Sequence, residues 1–207
     1  MYAWFRILAL PLLLGALVAH GAETRTIIFF GDSLTAGYGL PDPSSQSYPA
    51  LIQEKIDEAG LPWRVVNAGL SGETTSAGLR RVDWILRQPV DIFVLALGAN
   101  DGLRGIDPGV SRDNLEQMIA RVRAKNPKVR IVLAGMQIPP AMGADFSREF
   151  ERIFPKVAEK QDATLVPFLL EGVGGRIDLN QPDRIHPTAG GHAIMAATVW
   201  KVLRPLL

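Results

Sequence analysis

Residues 27–39 read Ile27-Ile28-Phe29-Phe30-Gly31-Asp32-Ser33-Leu34-Thr35-Ala36-Gly37-Tyr38-Gly39. Four apolar residues, two of them β-branched, run into a glycine and then into a serine followed by a glycine-rich segment. This is the pattern of a buried strand that turns sharply at its carboxyl end. In an open α/β sheet ligands bind in the crevice beyond the strand carboxyl ends, so a hydroxyl displayed at Ser33 is placed for chemistry. A serine there also suits the N-cap of the next helix. The stretch alone leaves both readings open.

Outward from it, short apolar runs alternate with amphipathic stretches. Ser47-Tyr48-Pro49 opens a helix that Gly60 closes, with Leu51, Ile52, Ile56 and Ala59 on one face. Strands follow at Trp63–Asn67, Ile92–Leu97, Val129–Ala134 and Thr164–Phe168. Between them the spacing predicts helices over 75–87, from Asp107-Pro108 to Asn126, and over 147–160. In the second of these Val110, Leu115, Met118, Ile119 and Val122 form the inward face, and in the third Pro155 marks a kink or a late start. Segments 98–105, 136–145 and 169–187 read as loops, and Thr188–Val202 as a final helix. Five strands joined by helical crossovers predict a parallel sheet covered on both faces, a three-layer α/β domain.

The 207 residues suit one domain, and a composition of 21% charged and 47% hydrophobic with net charge +1 points to neither nucleic acid nor an acidic partner. The first residues stand apart. Arg6 precedes an apolar run, Ile7–Ala19, broken only by Pro11 and Gly15, and Ala19-His20-Gly21-Ala22 supplies small residues for cleavage. Residues 1–22 therefore read as a signal peptide, too short in its apolar run for a spanning anchor, ahead of a domain over 23–207. The expected location is periplasmic or secreted, with no stable membrane anchor. Cysteine is absent, which removes disulfides, thiolate nucleophiles and thiolate metal ligands together.

Of three histidines, His20 falls in the leader and His192 lies in an apolar helical stretch that suggests a packed structural role. His186 sits in Asp183-Arg184-Ile185-His186-Pro187. A carboxylate three residues earlier can reach back across one turn to the imidazole Nδ1–H, which fixes the tautomer and stabilises an imidazolium. Asp178 is a second, less direct candidate, and Asp183 also suits a simple turn role. Gly98-Ala99-Asn100-Asp101 follows the third strand, where the Asn100 amide is placed to donate to a developing oxyanion, or else to form an Asx-turn. Gly72, in Gly69-Leu70-Ser71-Gly72-Glu73, offers a backbone N–H with no side chain to hinder approach. Ser71 is a rival nucleophile without a strand-end turn like that of Ser33. Two histidines six residues apart and no cysteine make no recognisable zinc pattern, and no cofactor or metal is required.

Taken together, four blocks resemble the SGNH, or GDSL-type, hydrolases, and within them the bacterial arylesterase and multifunctional acyl-CoA thioesterase/lysophospholipase group. They are Gly31-Asp32-Ser33-Leu34, Val65 to Thr74, Gly98 to Gly105, and Asp183 to Pro187, in that order over nearly all the chain beyond the leader. The resemblance implies a flavodoxin-like sheet of order 2-1-3-4-5. It implies Ser33 as nucleophile, His186 as general base and Asp183 as its orienting carboxylate, with the N–H groups of Ser33 and Gly72 and the Asn100 amide as oxyanion hole. The implied substrate is a small acyl ester or lipid. Apolar loop residues Leu34, Leu103, Met136, Ile138, Pro139 and Met142 suggest an acyl groove, although loop packing explains them as well. Two other readings stand beside an acyl esterase. A carbohydrate O-acetylesterase uses the same blocks, and a non-enzymatic flavodoxin-like module would cradle a phosphate or nucleotide with Ser33, Thr35 and Gly37. The chain carries no Gly-x-Ser-x-Gly of the lipase type.

Overall fold

The computed structural model describes residues 24–207. The signal peptide expected over 1–22 lies outside the described residues. The first strand, β1 (Arg25–Gly31), pairs in parallel with β2 (Trp63–Gly69) on one side and β3 (Ile92–Ala96) on the other. Beyond β3 come β4 (Arg130–Ala134) and β5 (Thr164–Val166), which completes a parallel sheet of order 2-1-3-4-5. Ile27 to Phe30 are all fully buried. Consecutive burial of this kind is possible only where helices cover both sheet faces.

In chain order the helices are α1 (Ser33–Ala36), α2 (Pro43–Gln46), α3 (Tyr48–Glu58), α4 (Thr75–Ile85), α5 (Ala99–Leu103), α6 (Pro108–Lys125), α7 (Ala144–Lys160) and α8 (Ala189–Leu203). Helix α3 packs with α8, while α4, α6 and α7 pack in sequence with one another. Right-handed crossovers place the first pair on one face and the other three on the opposite face, because the chain reverses direction across the sheet after β2. That reversal leaves the switch point between β1 and β3.

Several boundaries differ from the sequence reading for identifiable reasons. Segment 98–105 is not all loop, since α5 forms within it once Gly98, at φ 125°, has turned the chain out of β3. The fifth strand stops at Val166 because Pro167 has no N–H to continue the ladder. Helix α7 starts at Ala144 and runs through Pro155, which lies on the exposed side, so that the helix bond it cannot make is not lost from the core. Val110 is 45% exposed. The rest of the expected face, Leu115, Met118, Ile119 and Val122, is buried, and Ser111, one residue and so about 100° further round, takes the inward place at the start of α6.

Gly31 ends β1 under severe crowding. A Cβ there would lie 2.1 Å from Thr35 Oγ1 and 2.7 Å from the Ala96 carbonyl oxygen. Gly31→Ala is expected to cost about 2–3 kcal/mol through overpacking. An unchanged denaturant midpoint would contradict this.

His192 is buried in α8, and its Nδ1 accepts the backbone N–H of Tyr48 at 3.2 Å. The ring proton therefore resides on Nε2. Burial lowers its pKa from 6.5 to about 4, with repulsion from His186 adding to the effect. A depressed value for a base means that the contribution to stability is whole above pH 6.5 and is lost as pH falls towards 4. The stability difference between wild type and His192→Asn should thus shrink by about 3 kcal/mol from pH 7 to pH 4. Denaturation of both proteins across that range measures it, and a pH-independent difference would refute it.

Candidate active site

The turn after β1 is built by Asp32, whose Oδ1 accepts the Leu34 N–H at 3.0 Å as the N-cap of α1. Ser33 is the first residue of that single helical turn, so its own N–H has no acceptor within the helix. Gly37, at φ 77°, ends the turn in the left-handed region. The loop after β2 is tied to the same place by the Leu70 N–H, which donates to the Gly31 carbonyl at 2.9 Å. Within this loop Gly72 adopts φ 79° and its carbonyl accepts from Arg104 at 3.0 Å.

The loop between β5 and α8 carries the histidine. Oδ1 of Asp183 accepts the backbone N–H groups of Ile185 at 2.9 Å and His186 at 3.0 Å. Arg184, at φ 60°, supplies the left-handed residue that folds the segment back. The imidazole Nδ1–H then donates to Asp183 Oδ2 at 2.7 Å. These donors, the two His186 bonds foremost, pull the Asp183 carboxyl down to about 2, so it stays charged and only accepts. With the proton on Nδ1, Nε2 is left to accept from Ser33 Oγ–H, 2.9 Å away. Ser33, His186 and Asp183 form one hydrogen-bonded run.

The alternatives left open by the sequence are placed elsewhere. The carboxylate of Asp178 is held by Arg176 at 2.6 and 3.0 Å, and Ser71 lies exposed in the loop after β2. Asn100 forms no Asx-turn with its own backbone. Its amide donates across to Glu73 O at 3.1 Å and to Asp32 Oδ2 at 3.4 Å, joining three loops. Behind it the buried Asp101 accepts from Thr75 N (2.8 Å), Thr75 Oγ1 (2.5 Å) and Ser111 Oγ (3.1 Å), which pins α5 to α4 and α6. Glu73 is ion-paired with Arg81, whose guanidinium lies 4.2 Å over the Phe30 ring.

The expected apolar groove needs correction. Leu34 and Met136 are each 4% exposed and Ile138 is 7% exposed, and all three belong to the core. Ile138 is covered because its Cγ2 lies where a side chain at Gly102 of α5 would go, a helix absent from the sequence reading. Leu103, Pro139 and Met142 do face solvent. A cleft of about 410 Å³ between α6 and α7, lined by Arg112, Arg148, Arg152 and Lys156 among others, contains none of the Ser33 run. Among the described residues no three His, Asp or Glu side chains converge as a metal site.

Two residues at the site escaped the sequence reading. The Tyr38 ring lies 4.6 Å from the His186 ring, centroid to centroid. Gln181 Nε2 donates to the carbonyls of Tyr38 at 2.8 Å and Pro187 at 3.0 Å, which ties the histidine loop to the serine turn. An aromatic residue between Gly37 and Gly39 was a signal for the first. Nothing local distinguishes Gln181.

Residues 29–194 match the GDSL-like Lipase/Acylhydrolase family. The chain is 39% identical to the esterase TesA of Pseudomonas aeruginosa over 192 residues, 92% of this chain and 94% of that one. It is 35% identical to the thioesterase 1/protease 1/lysophospholipase L1 of Escherichia coli over 197 residues, 95% and 91% of the two chains. Among solved structures, the psychrotrophic esterase EstA from Pseudoalteromonas sp., inhibited by monoethylphosphonate, matches with a TM-score of 0.81 at 31% identity, covering 88% of this chain and 98% of that one. Since the family match spans the serine turn, the sheet and the histidine loop together, this chain belongs to the GDSL, or SGNH, family of lipases and acylhydrolases.

Proposed function

We propose that the protein is a serine esterase that hydrolyses carboxylic esters through an acyl-enzyme. The observation that carries this reading is the continuous run from Ser33 Oγ through His186 to Asp183, with bonds of 2.9 and 2.7 Å. Ser33 Oγ attacks the ester carbonyl while His186 Nε2 takes its proton, and Asp183 stabilises the imidazolium. The N–H groups of Ser33 and Gly72 and the Asn100 amide receive the oxyanion. His186 then protonates the leaving alcohol, and water repeats the sequence on the acyl group. The names of the relatives support carboxylic esters, thioesters and lysophospholipids as substrates to test. Leu103 and Pro139, exposed beside the loops of the site, would receive the acyl chain.

The phosphate-cradle reading loses support from the hydroxyls it needs. Thr35 is fully buried with its Oγ1 bonded to Tyr48 Oη at 2.9 Å, and Ser33 Oγ is engaged by His186. The deciding experiment is hydrolysis of p-nitrophenyl esters from short to long chains, beside a lysophospholipid and an acetylated sugar, with Ser33→Ala as control. Turnover of aryl esters by wild type alone supports the reading, and inactivity across all substrates refutes it. Preference for the acetylated sugar would favour a carbohydrate O-acetylesterase.

We also propose that residues 1–22 direct export, on the strength of the apolar run behind Arg6. No helix among the described residues is long and apolar enough to cross a membrane. The mass of the protein recovered from a periplasmic fraction tests the cleavage, and a full-length mass would overturn it.

A further inference from the structure

Among the buried carboxylates at the site, Asp32 is the least compensated, with two hydrogen-bond donors and, among the described residues, no paired cation. Glu73 has Arg81, and Asp101 has three hydrogen-bond donors. Asp32 is 1% exposed and pairs with no cation among the described residues. An unpaired buried carboxylate is costly, and the hydrolytic steps above do not use it. Its two oxygens, however, accept from two different parts of the oxyanion site. Oδ1 takes the Leu34 N–H at 3.0 Å, and Oδ2 takes the Asn100 amide at 3.4 Å.

We infer that Asp32 is a positioning residue for ester hydrolysis, a double acceptor that holds the Asn100 amide against the turn carrying Ser33. The inference rests on the esterase reading above. The Asn100 Nδ2 has two hydrogens, and at rest its acceptors are Glu73 O at 3.1 Å and Asp32 Oδ2 at 3.4 Å. The shorter bond anchors the amide to the Gly72 loop. The longer one keeps the second hydrogen directed at the Ser33 turn, where an oxyanion can share it while Asp32 still holds the amide in place. An asparagine at position 32 cannot do the same, because it has one acceptor oxygen and would set a donor against a donor at its other end.

Protonation would disable the device in the same way, by turning one acceptor into a donor. Burial pushes the Asp32 carboxyl up to about 7, against the lowering effect of its bonds to Leu34 and Asn100, and the nearby charges of Glu73 and Asp101 add to the rise. The other titratable groups around it are Tyr48, whose hydroxyl is bonded to Thr35, and His186, bonded to Ser33. The double acceptor therefore exists above about pH 7 and is lost below it. The acid limb of kcat should accordingly contain a step that requires both the Asp32 carboxylate and the Asn100 amide.

The test is a double-mutant cycle of Asp32→Asn and Asn100→Ala on a p-nitrophenyl ester, with kcat and KM measured separately across pH. Asp32→Asn is expected to lower kcat about 10- to 100-fold at pH 8 with KM within about twofold, as for a misaligned catalytic group. In the Asn100→Ala background the same change should cost less than about threefold, because the partner through which it acts is gone. Both single variants should lose that step, leaving an acid limb less steep than that of wild type. A wild-type kcat in folded Asp32→Asn, or losses that multiply in the double variant, would overturn the inference. If Asp32→Asn does not fold, the pH profile of Asn100→Ala decides alone. A limb as steep as that of wild type places the action of Asp32 elsewhere. Wild type against Ser33→Ala tests the esterase reading independently of these outcomes.

Discussion

Ser33→Ala is expected to lower kcat for ester hydrolysis by about 10⁴- to 10⁶-fold while leaving the fold intact, the range typical of removing a serine nucleophile that works with a histidine base. The hydroxyl removed makes its hydrogen bond to His186 and takes no part in the core. Alanine is also the residue best tolerated in a helical turn such as α1. The loss should therefore appear in kcat and not in the denaturation midpoint. His186→Ala should fall into the same range, and the double variant should be scarcely worse than either single one, because nucleophile and base act as a unit. Activity within tenfold of wild type in purified, folded Ser33→Ala would remove Ser33 from the mechanism and return Ser71 to consideration.

The second large effect is expected at Asn100. Replacing it with alanine removes one of the three proposed oxyanion donors and should reduce kcat about 10²- to 10³-fold, equivalent to roughly 3–4 kcal/mol of transition-state stabilisation. Because the charge it meets develops only after attack, KM should change little. The side chain also links the three loops, through Asp32 and Glu73, so the melting temperature must be followed in parallel. A rise in KM with kcat unchanged would assign Asn100 to substrate binding and leave the oxyanion to the backbone donors.

Several features of this site follow from neighbours a few residues apart. The turn at Gly31 could be read because an apolar strand ending in glycine has few alternatives. The Asp183-x-x-His186 pair could be read because its spacing is that of one turn, and the turn is closed by bonds within the segment itself, from Ile185 and His186 back to Asp183. The apolar groove was less legible. Leu34 and Ile138 look alike in sequence to Leu103 and Pro139, and what separates them is tertiary burial, of Leu34 on the inward side of α1 and of Ile138 against Gly102 of α5. The short helix α5 was itself hidden, since five residues carry too little periodicity to declare a helix.

By itself, the sequence determined that this chain forms a three-layer α/β domain with its chemistry-bearing residues on the loops after the strands. Apolar runs, glycine turns and caps are local, and each acts through contacts within a turn or a strand. Only the tertiary structure decided which serine faces His186, because Ser33 and His186 are 153 positions apart and meet through the order of the sheet. The same holds for the 68 positions between Asp32 and Asn100. A carboxylate read as part of a turn becomes an acceptor for the oxyanion amide only when β1 and β3 lie side by side, since hydrogen bonding depends on distance in space and not on distance along the chain.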